Sequence, residues 1–216
     1  MTGPAPAAGP SGPPPLSVWV VTDGRAGIEA QALGLAEAVA RITPAVLVVK
    51  RVRWRPWMRR WPTRLVALPR LVRDPASDRL DPPWPDLWIA AGRAAVPFSV
   101  AVRRWSGART FVVQVQDPLR PPRLFDLVVP PEHDGLRGPG VLPILGAPHR
   151  MTPERLAESY AAFRARLEPL PRPRVAVLVG GRSRAFDLPP ERIQVVVHPE
   201  SVVHSMVEFV DRKSVV

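Results

Sequence analysis

The residues best suited to chemistry fall in short loop runs of charged or amide side chains, three of the four containing glycine. They are Asp23-Gly24-Arg25-Ala26-Gly27, Gly92-Arg93, Gln116-Asp117-Pro118 and His133-Asp134-Gly135-Leu136-Arg137-Gly138. Glycine lets a backbone approach a ligand closely, and Arg, Asp, Gln and His offer donors and acceptors for its polar atoms. Taken singly, each run is equally well an ordinary turn. Gathered on one rim, the four make a site for a polar ligand. Other chemistries find less support. "DGRAGIEAQALG" lacks the three glycines in the register that seats a dinucleotide pyrophosphate, and there is no phosphate-cradling loop ending in Gly-Lys-Ser or Gly-Lys-Thr. No Ser-His-Asp order or paired-carboxylate motif is present, and His133-Asp134 as a general base is matched by a turn reading of the same residues.

The elements that would carry these runs alternate along the chain. Ser17 to Thr22 reads as an apolar strand, Glu29 to Arg41 as a helix, and Ala45 to Lys50 as a second strand after Pro44. The cycle repeats with a strand at Asp86 to Ala91, an apolar helix to Trp105 and a strand at Thr110 to Val115. Shorter strands are expected at Leu124 to Val129 and Val141 to Leu145. A helix capped by Thr152, with Pro153 in its first turn, should run to about Leu167. Strands apolar throughout and separated by helices imply a parallel sheet covered on both faces, a doubly wound, Rossmann-like α/β domain. In such a sheet the ligand sits at the carboxyl ends of the strands, where all four runs fall.

Composition narrows the class. The 216 residues include no cysteine, which removes disulfides and thiolate chemistry and is compatible with the cytosol. No apolar run reaches the roughly 18 residues that cross a bilayer, since Arg93 interrupts the best one, Leu87 to Val102. Residues 1–16 read as a disordered Pro/Ala-rich tail without the apolar centre of a secretory leader. The net charge of +11 is almost all arginine, in a chain also rich in Pro and Ala. Part of it therefore reflects a GC-rich coding habit, yet its field would still attract anionic lipids, nucleotides or nucleic acid.

Lys50 to Arg73, "KRVRWRPWMRRWPTRLVALPRLVR", concentrates that charge and interleaves Trp54, Trp57 and Trp61. Three readings stand: a patch at the head-group level of an anionic membrane, a nucleic-acid surface with stacking tryptophans, and an irregular excursion whose tryptophans merely pack on the domain. Of the two partners, membrane is favoured over nucleic acid, which places the chain in the cytoplasm, peripheral on the inner face of the membrane.

Four stretches carry a family resemblance: "VTDGRAGIEAQALGLAEAVA", "PDLWIAAGRAAVPFSVAVRRWSGARTFVVQVQDP", "FDLVVPPEHDGLRGPGVLPILGAPHRMTPERL" and "RVAVLVGGRSRAF". In order from Ser17 to Phe186, they resemble the bacterial branch of the mitochondrial-fission (elongated-mitochondria) family. The resemblance implies a GT-B-type glycosyltransferase of two facing Rossmann-like domains, the first toward the acceptor and the second holding a nucleotide-sugar; no cofactor and no metal are expected. It carries the substrate-binding role to Asp23, Gly24, Arg25, Gly27, Gly92, Arg93, Gln116, Asp117, His133, Asp134, Gly180 and Gly181. The catalytic residue stays unassigned. Arg182 stands where relatives often have Pro after the last glycine pair, which weakens the assignment of that loop.

The expected domains are a tail at 1–16, an acceptor-side domain at 17–170, the start of a truncated second domain at 171–187, and an unrelated segment at 188–216. Such a second domain needs on the order of 100 residues to bury a core, so the donor-binding half is expected to be absent and the chain inactive alone. The last segment has its own resemblance. "LPPERIQVVVHPESVVHSMVEFVD", Leu188 to Asp211, is similar to an internal piece of 1-deoxy-D-xylulose 5-phosphate reductoisomerase, an NADPH- and metal-dependent enzyme, through the run His198 to Val207. Neither that enzyme's dinucleotide domain nor its metal-binding carboxylates occur upstream, so its activity is not expected and the chain reads as a chimera. His198 and His204, six apart with no third ligand, do not make a metal pair. The remaining alternative is a non-enzymatic basic membrane-associated module built around Lys50 to Arg73.

Overall fold

The computed structural model describes residues 13–58, 61–170, 172 and 174. The chain divides into two units, Met1–Thr152 and Pro153–Val216. In the first, strands β1 (Leu16–Thr22), β2 (Ala45–Arg51), β3 (Leu87–Ala91), β4 (Phe111–Val115) and β5 (Leu127–Val129) form one parallel sheet in the order β2-β1-β3-β4-β5. Helix α1 (Ala26–Ile42) lies on one face, and α2 (Pro69–Val72) and α3 (Val96–Trp105) belong to the other. This is the Rossmann-like α/β class expected from the strand and helix alternation.

The two faces follow from the two-residue repeat of a strand. Val18 and Val20 of β1 join Ile89, Val113 and Val115 beneath Ala32 and Ala36 of α1. Trp19 and Val21 turn the other way, to Trp88, Ala90 and Val112 beneath Phe98 and Val102 of α3. The small residues on α1 let it approach closely. A side chain at Gly34 would fall 2.6 Å from the His149 backbone, so only glycine allows that contact. Arg150 then fastens the same segment to Glu37 at 2.7 Å. On the α3 face the Trp88 indole donates to Ser99 Oγ (3.0 Å), and Ser99 Oγ donates to Gln114 Oε1 (3.0 Å). This buried polar chain is satisfied, as buried polar groups must be to avoid a desolvation penalty.

Two segments depart from the sequence expectation. The crossover from β2 to β3 contains Pro56, Pro62, Pro69, Pro75, Pro82, Pro83 and Pro85. Proline gives up a helical hydrogen bond and clashes with the preceding turn, so the crossover forms only short turns at Pro56–Met58 and Thr63–Leu65 and the four-residue α2. Without a long helix there, Val46 and Val48 of β2 remain exposed, and the sheet is covered on both faces only inward of that edge. Beyond β5, the expected strand at Val141 to Leu145 is present only as isolated parallel bridges, Val128 to Val141 and Pro131 to Ile144. Val128 N–H donates to Gly140 and Glu132 N–H to Ile144, but Pro130 between them has no N–H for Leu142, so the ladder is broken. The strand expected from Leu124 begins at Leu127 because Pro122–Leu124 forms a tight 3₁₀ turn.

In the second unit, helix α4 (Pro153–Leu167) matches the helix read from Thr152 and Pro153. Leu156, Tyr160, Phe163 and Leu167 recur at helical spacing along it. Among the described residues, no helix is long and apolar enough to cross a membrane.

Candidate functional site

The sheet order makes β1 and β3 the point where the chain reverses its winding: β2 lies to one side of β1, and β3, β4 and β5 to the other. Connections leave this point in opposite directions and open a crevice at the carboxyl ends of the strands. The loops after β1 and β3 meet there. Gly24 and Gly92 have φ of 79° and 84°, a region that favours glycine. A Cβ on Gly92 would lie 2.9 Å from Ile28 Cγ2 and 3.2 Å from Asp23 Oδ2, so the two loops are in close packing. Asp23 is oriented by Arg25, whose backbone N–H donates to Oδ1 (3.2 Å) and whose Nε donates to Oδ2 (2.8 Å). This ion pair raises the Arg25 pKa further above its ordinary value.

A second ion pair stands behind the first. Glu29, in the first turn of α1, receives two hydrogen bonds from Arg51 at the end of β2, at 2.8 Å and 2.7 Å, and one from the Thr22 hydroxyl at 3.1 Å. The Arg51 hydrogen bonds hold the Glu29 carboxyl below the usual range against the opposing push of burial, and Thr22 adds to them. Arg51 rises correspondingly. Thr22, Glu29 and Arg51 were not singled out in the sequence. Their signal was available in two positions, a strand's carboxyl end and the first turn of the following helix.

The loop after β4 completes the rim. Gln116, with φ of 71°, donates from its amide to Gln31 Oε1 on α1 at 2.9 Å. Asp117 accepts from the Leu119 N–H at 2.7 Å, and its own N–H lies 3.4 Å from Asp134 Oδ2. His133 is largely exposed, with Nε2 3.6 Å from Asp134 Oδ1. The structure thus brings together Asp23, Gly24, Arg25 and Gly92 in one group and Gln116, Asp117, His133 and Asp134 in another, with α1 touching both through Ile28 and Gln31. Arg93 turns toward the β2–β3 crossover, donating to the Trp61 carbonyl and lying 5.4 Å over the Trp54 ring. Gly27 is an ordinary residue of the first helical turn, with open space around it. Gly180 and Gly181 lie outside the described residues, as do all but Arg174 of the strand expected at Arg174 to Val179 and the segment Leu188 to Asp211.

The arrangement offers carboxylates, an amide and guanidinium groups around glycine backbone, a set suited to hydroxyls and other uncharged polar groups. Among the described residues, no group of three His, Asp or Glu is placed to hold a metal. A hollow of about 100 Å³ lined by Arg70, Arg73, Leu80, Asp81, Phe98 and Trp105 lies against α3, away from the rim. It is far smaller than the several hundred Å³ that a ligand of nucleotide-sugar size occupies.

The fold is that of a Rossmann-like α/β domain, with the loops after β1 and β3 packed together at its switch point. The family model described as "Mitochondrial fission ELM1" matches residues 26–206, and the chain belongs to that family. The match extends beyond Phe186 and so overlaps Leu188 to Asp211. A separate similarity joins the chain to 1-deoxy-D-xylulose 5-phosphate reductoisomerases. It is 79% identical over 29 residues to the one from Bifidobacterium longum subsp. infantis, covering 13% of this chain and 7% of that protein. It is 77% identical over 26 residues to the one from Janthinobacterium sp., covering 12% and 7%. The chain therefore spans only a small fraction of the curated relatives it matches. No solved structure matches the chain.

Proposed function

We propose that the Rossmann-like domain is the acceptor-side half of a GT-B-type glycosyltransferase, which passes a sugar from a nucleotide donor to a lipid or saccharide acceptor. The observation that carries this reading is the packing of Gly92 against Asp23 across the β1/β3 switch point. It fixes the Asp23 carboxylate beside the exposed backbone of Gly24, with the buried Gly92 packed behind it, an arrangement suited to sugar hydroxyls through directional hydrogen bonds. Gln116 and Asp117 extend the row of polar groups along the rim. The nucleotide-sugar would be held by a second domain outside residues 16–152, as in a two-domain GT-B arrangement.

Calorimetric titration with UDP- and GDP-sugars tests the division of labour. The proposal expects no micromolar binding by this chain, and micromolar binding would place the donor site here and overturn it. The reductoisomerase-like segment has no part in this function; it is foreign to the parent, joined by rearrangement or during cloning or assembly. Sequencing reads that run unbroken across the codons for Gly181 to Val195 would establish that junction as part of the gene.

A further inference from the structure

We infer that the β2–β3 crossover is a docking surface for anionic membrane lipid, set beside the rim crevice. The crossover is amphipathic without being a helix. Trp54, Met58, Val66 and Val72 point into the core, with the Trp54 indole donating to the Ala94 carbonyl at 2.9 Å. Trp57, Trp61, Leu65, Leu68 and Leu71 point outward and are between 45% and 67% exposed. Burying them against apolar material would be favourable in proportion to their area, and they stand exposed among the described residues of the unit.

The turn after β4 adds a sixth apolar residue. Leu119 is 78% exposed and is held at φ of 52°, a conformation rare for a leucine. Its neighbour Arg120 donates to the Thr63 carbonyl at 3.0 Å, and Arg93 donates to the Trp61 carbonyl. The crossover and the rim are thus tied together, and the apolar residues stand next to the loops that carry Gly92 and Asp117.

Charge selects the occupant. From Lys50 to Arg73 there are one Lys and eight Arg and no Asp or Glu. Arg53, Arg55 and Arg70 are exposed on the same crossover as the outward Trp and Leu, while Arg51 pairs with Glu29 and Arg73 donates to the Ser77 and Asp78 carbonyls. Exposed arginine among exposed Trp and Leu matches a surface with phosphates outside and hydrocarbon just beneath. Leucines offer no stacking face to a nucleic-acid base, so they favour lipid over a single strand. The inference does not rest on sugar transfer and would hold for a protein with no enzymatic activity.

The test is flotation of the full chain with vesicles of phosphatidylcholine alone, and of phosphatidylcholine with about one quarter phosphatidylglycerol. Binding should require the anionic lipid, fall steeply between about 0.05 M and about 0.5 M salt, and shift tryptophan emission to the blue. The double variant Leu68→Glu, Leu119→Glu should bind on the order of tenfold or more weakly, because two apolar contacts are replaced by charges the lipid repels. Ile42→Glu, at a residue more exposed than either leucine but on the opposite rim after α1, should bind like the parent. Circular dichroism checks folding, and Trp57→Gln, expected to weaken binding, replaces the double variant if that one fails to fold. Equal binding to neutral vesicles, no vesicle binding, an unaffected variant, or an equal loss in Ile42→Glu overturns the inference. Binding of a single-stranded oligonucleotide without vesicle binding overturns it in favour of nucleic acid.

Discussion

Replacing Gly92 by alanine puts the geometry of the crevice under direct strain. At φ of 84° an L-residue is disfavoured by about 1–2 kcal/mol. The new methyl would also sit 2.9 Å from Ile28 Cγ2 and 3.2 Å from Asp23 Oδ2, and forcing an extra carbon into a packed contact costs about 1–3 kcal/mol. Ile28 can yield by a few tenths of an ångström, but Asp23 is held by Arg25, so the sum comes to about 2–5 kcal/mol. Two controls separate the contributions. Gly24→Ala meets the same backbone strain, at φ of 79°, but its nearest neighbour is the flexible Arg51 stem at 3.4 Å, so it should lose only about 1–2 kcal/mol. Gly27→Ala lies in the first turn of α1 with nothing within 4 Å, and should gain about 0.5–1 kcal/mol from helix propensity. Urea denaturation and thermal melting of the three variants give the ranking, at about 2–4 °C per kcal/mol for a domain of this size. A Gly92→Ala variant as stable as Gly24→Ala would refute the close packing of the two loops.

Further outcomes follow from the polar contacts. Glu29→Gln should lose about 1 kcal/mol near neutral pH, the scale of a partly exposed two-point ion pair. Because the Glu29 pKa is lowered in the folded state, this stability is present above the ordinary value of 4.5 and is lost as pH falls through the folded value. The gap between parent and Glu29→Gln in denaturation curves should accordingly close on acidification; a gap that widens would reverse the assignment. Ser99→Ala should cost about 1–3 kcal/mol by leaving the buried Trp88 indole and Gln114 amide without their shared partner. The purified chain should show no NADPH oxidation with 1-deoxy-D-xylulose 5-phosphate in a spectrophotometric assay with added divalent metal.

The sequence carried the sheet well where apolar runs were bounded by clear turns. β1, β2, β3 and β4 lie within a residue or so of where "SVWVVT", "AVLVVK", "DLWIAA" and "TFVVQV" placed them. Legibility failed where a hydrogen-bond count mattered more than hydrophobicity. Val141 to Leu145 has the right residues for a strand, but the neighbouring Pro130 withholds the N–H that would have continued the ladder. The site was legible in part for a similar reason. Glycine beside Asp23 marks a loop, and the strand order then brings it to Gly92. No spacing rule could announce that Arg93 turns to Trp61, that Glu29 pairs with Arg51 22 residues away, or that Gln31 reaches Gln116 85 residues away. Those contacts depend on how far α1 and the crossover lean over the sheet. Within Lys50 to Arg73, composition left three readings open, and the structure sorts the tryptophans residue by residue: Trp54 packs inward while Trp57 and Trp61 face out.

Sugar transfer by this domain requires the β1/β3 rim to bind the acceptor. Amide chemical-shift mapping on the nitrogen-labelled chain, titrated with saccharides and with a short-chain prenyl-phosphate-linked sugar, tests it most directly. Shifts should cluster at residues 23–27, 92–93, 116–117 and 133–134, and should weaken in Asp23→Asn. Shifts confined to the hollow around Arg70 and Trp105, or none up to millimolar ligand, would contradict it.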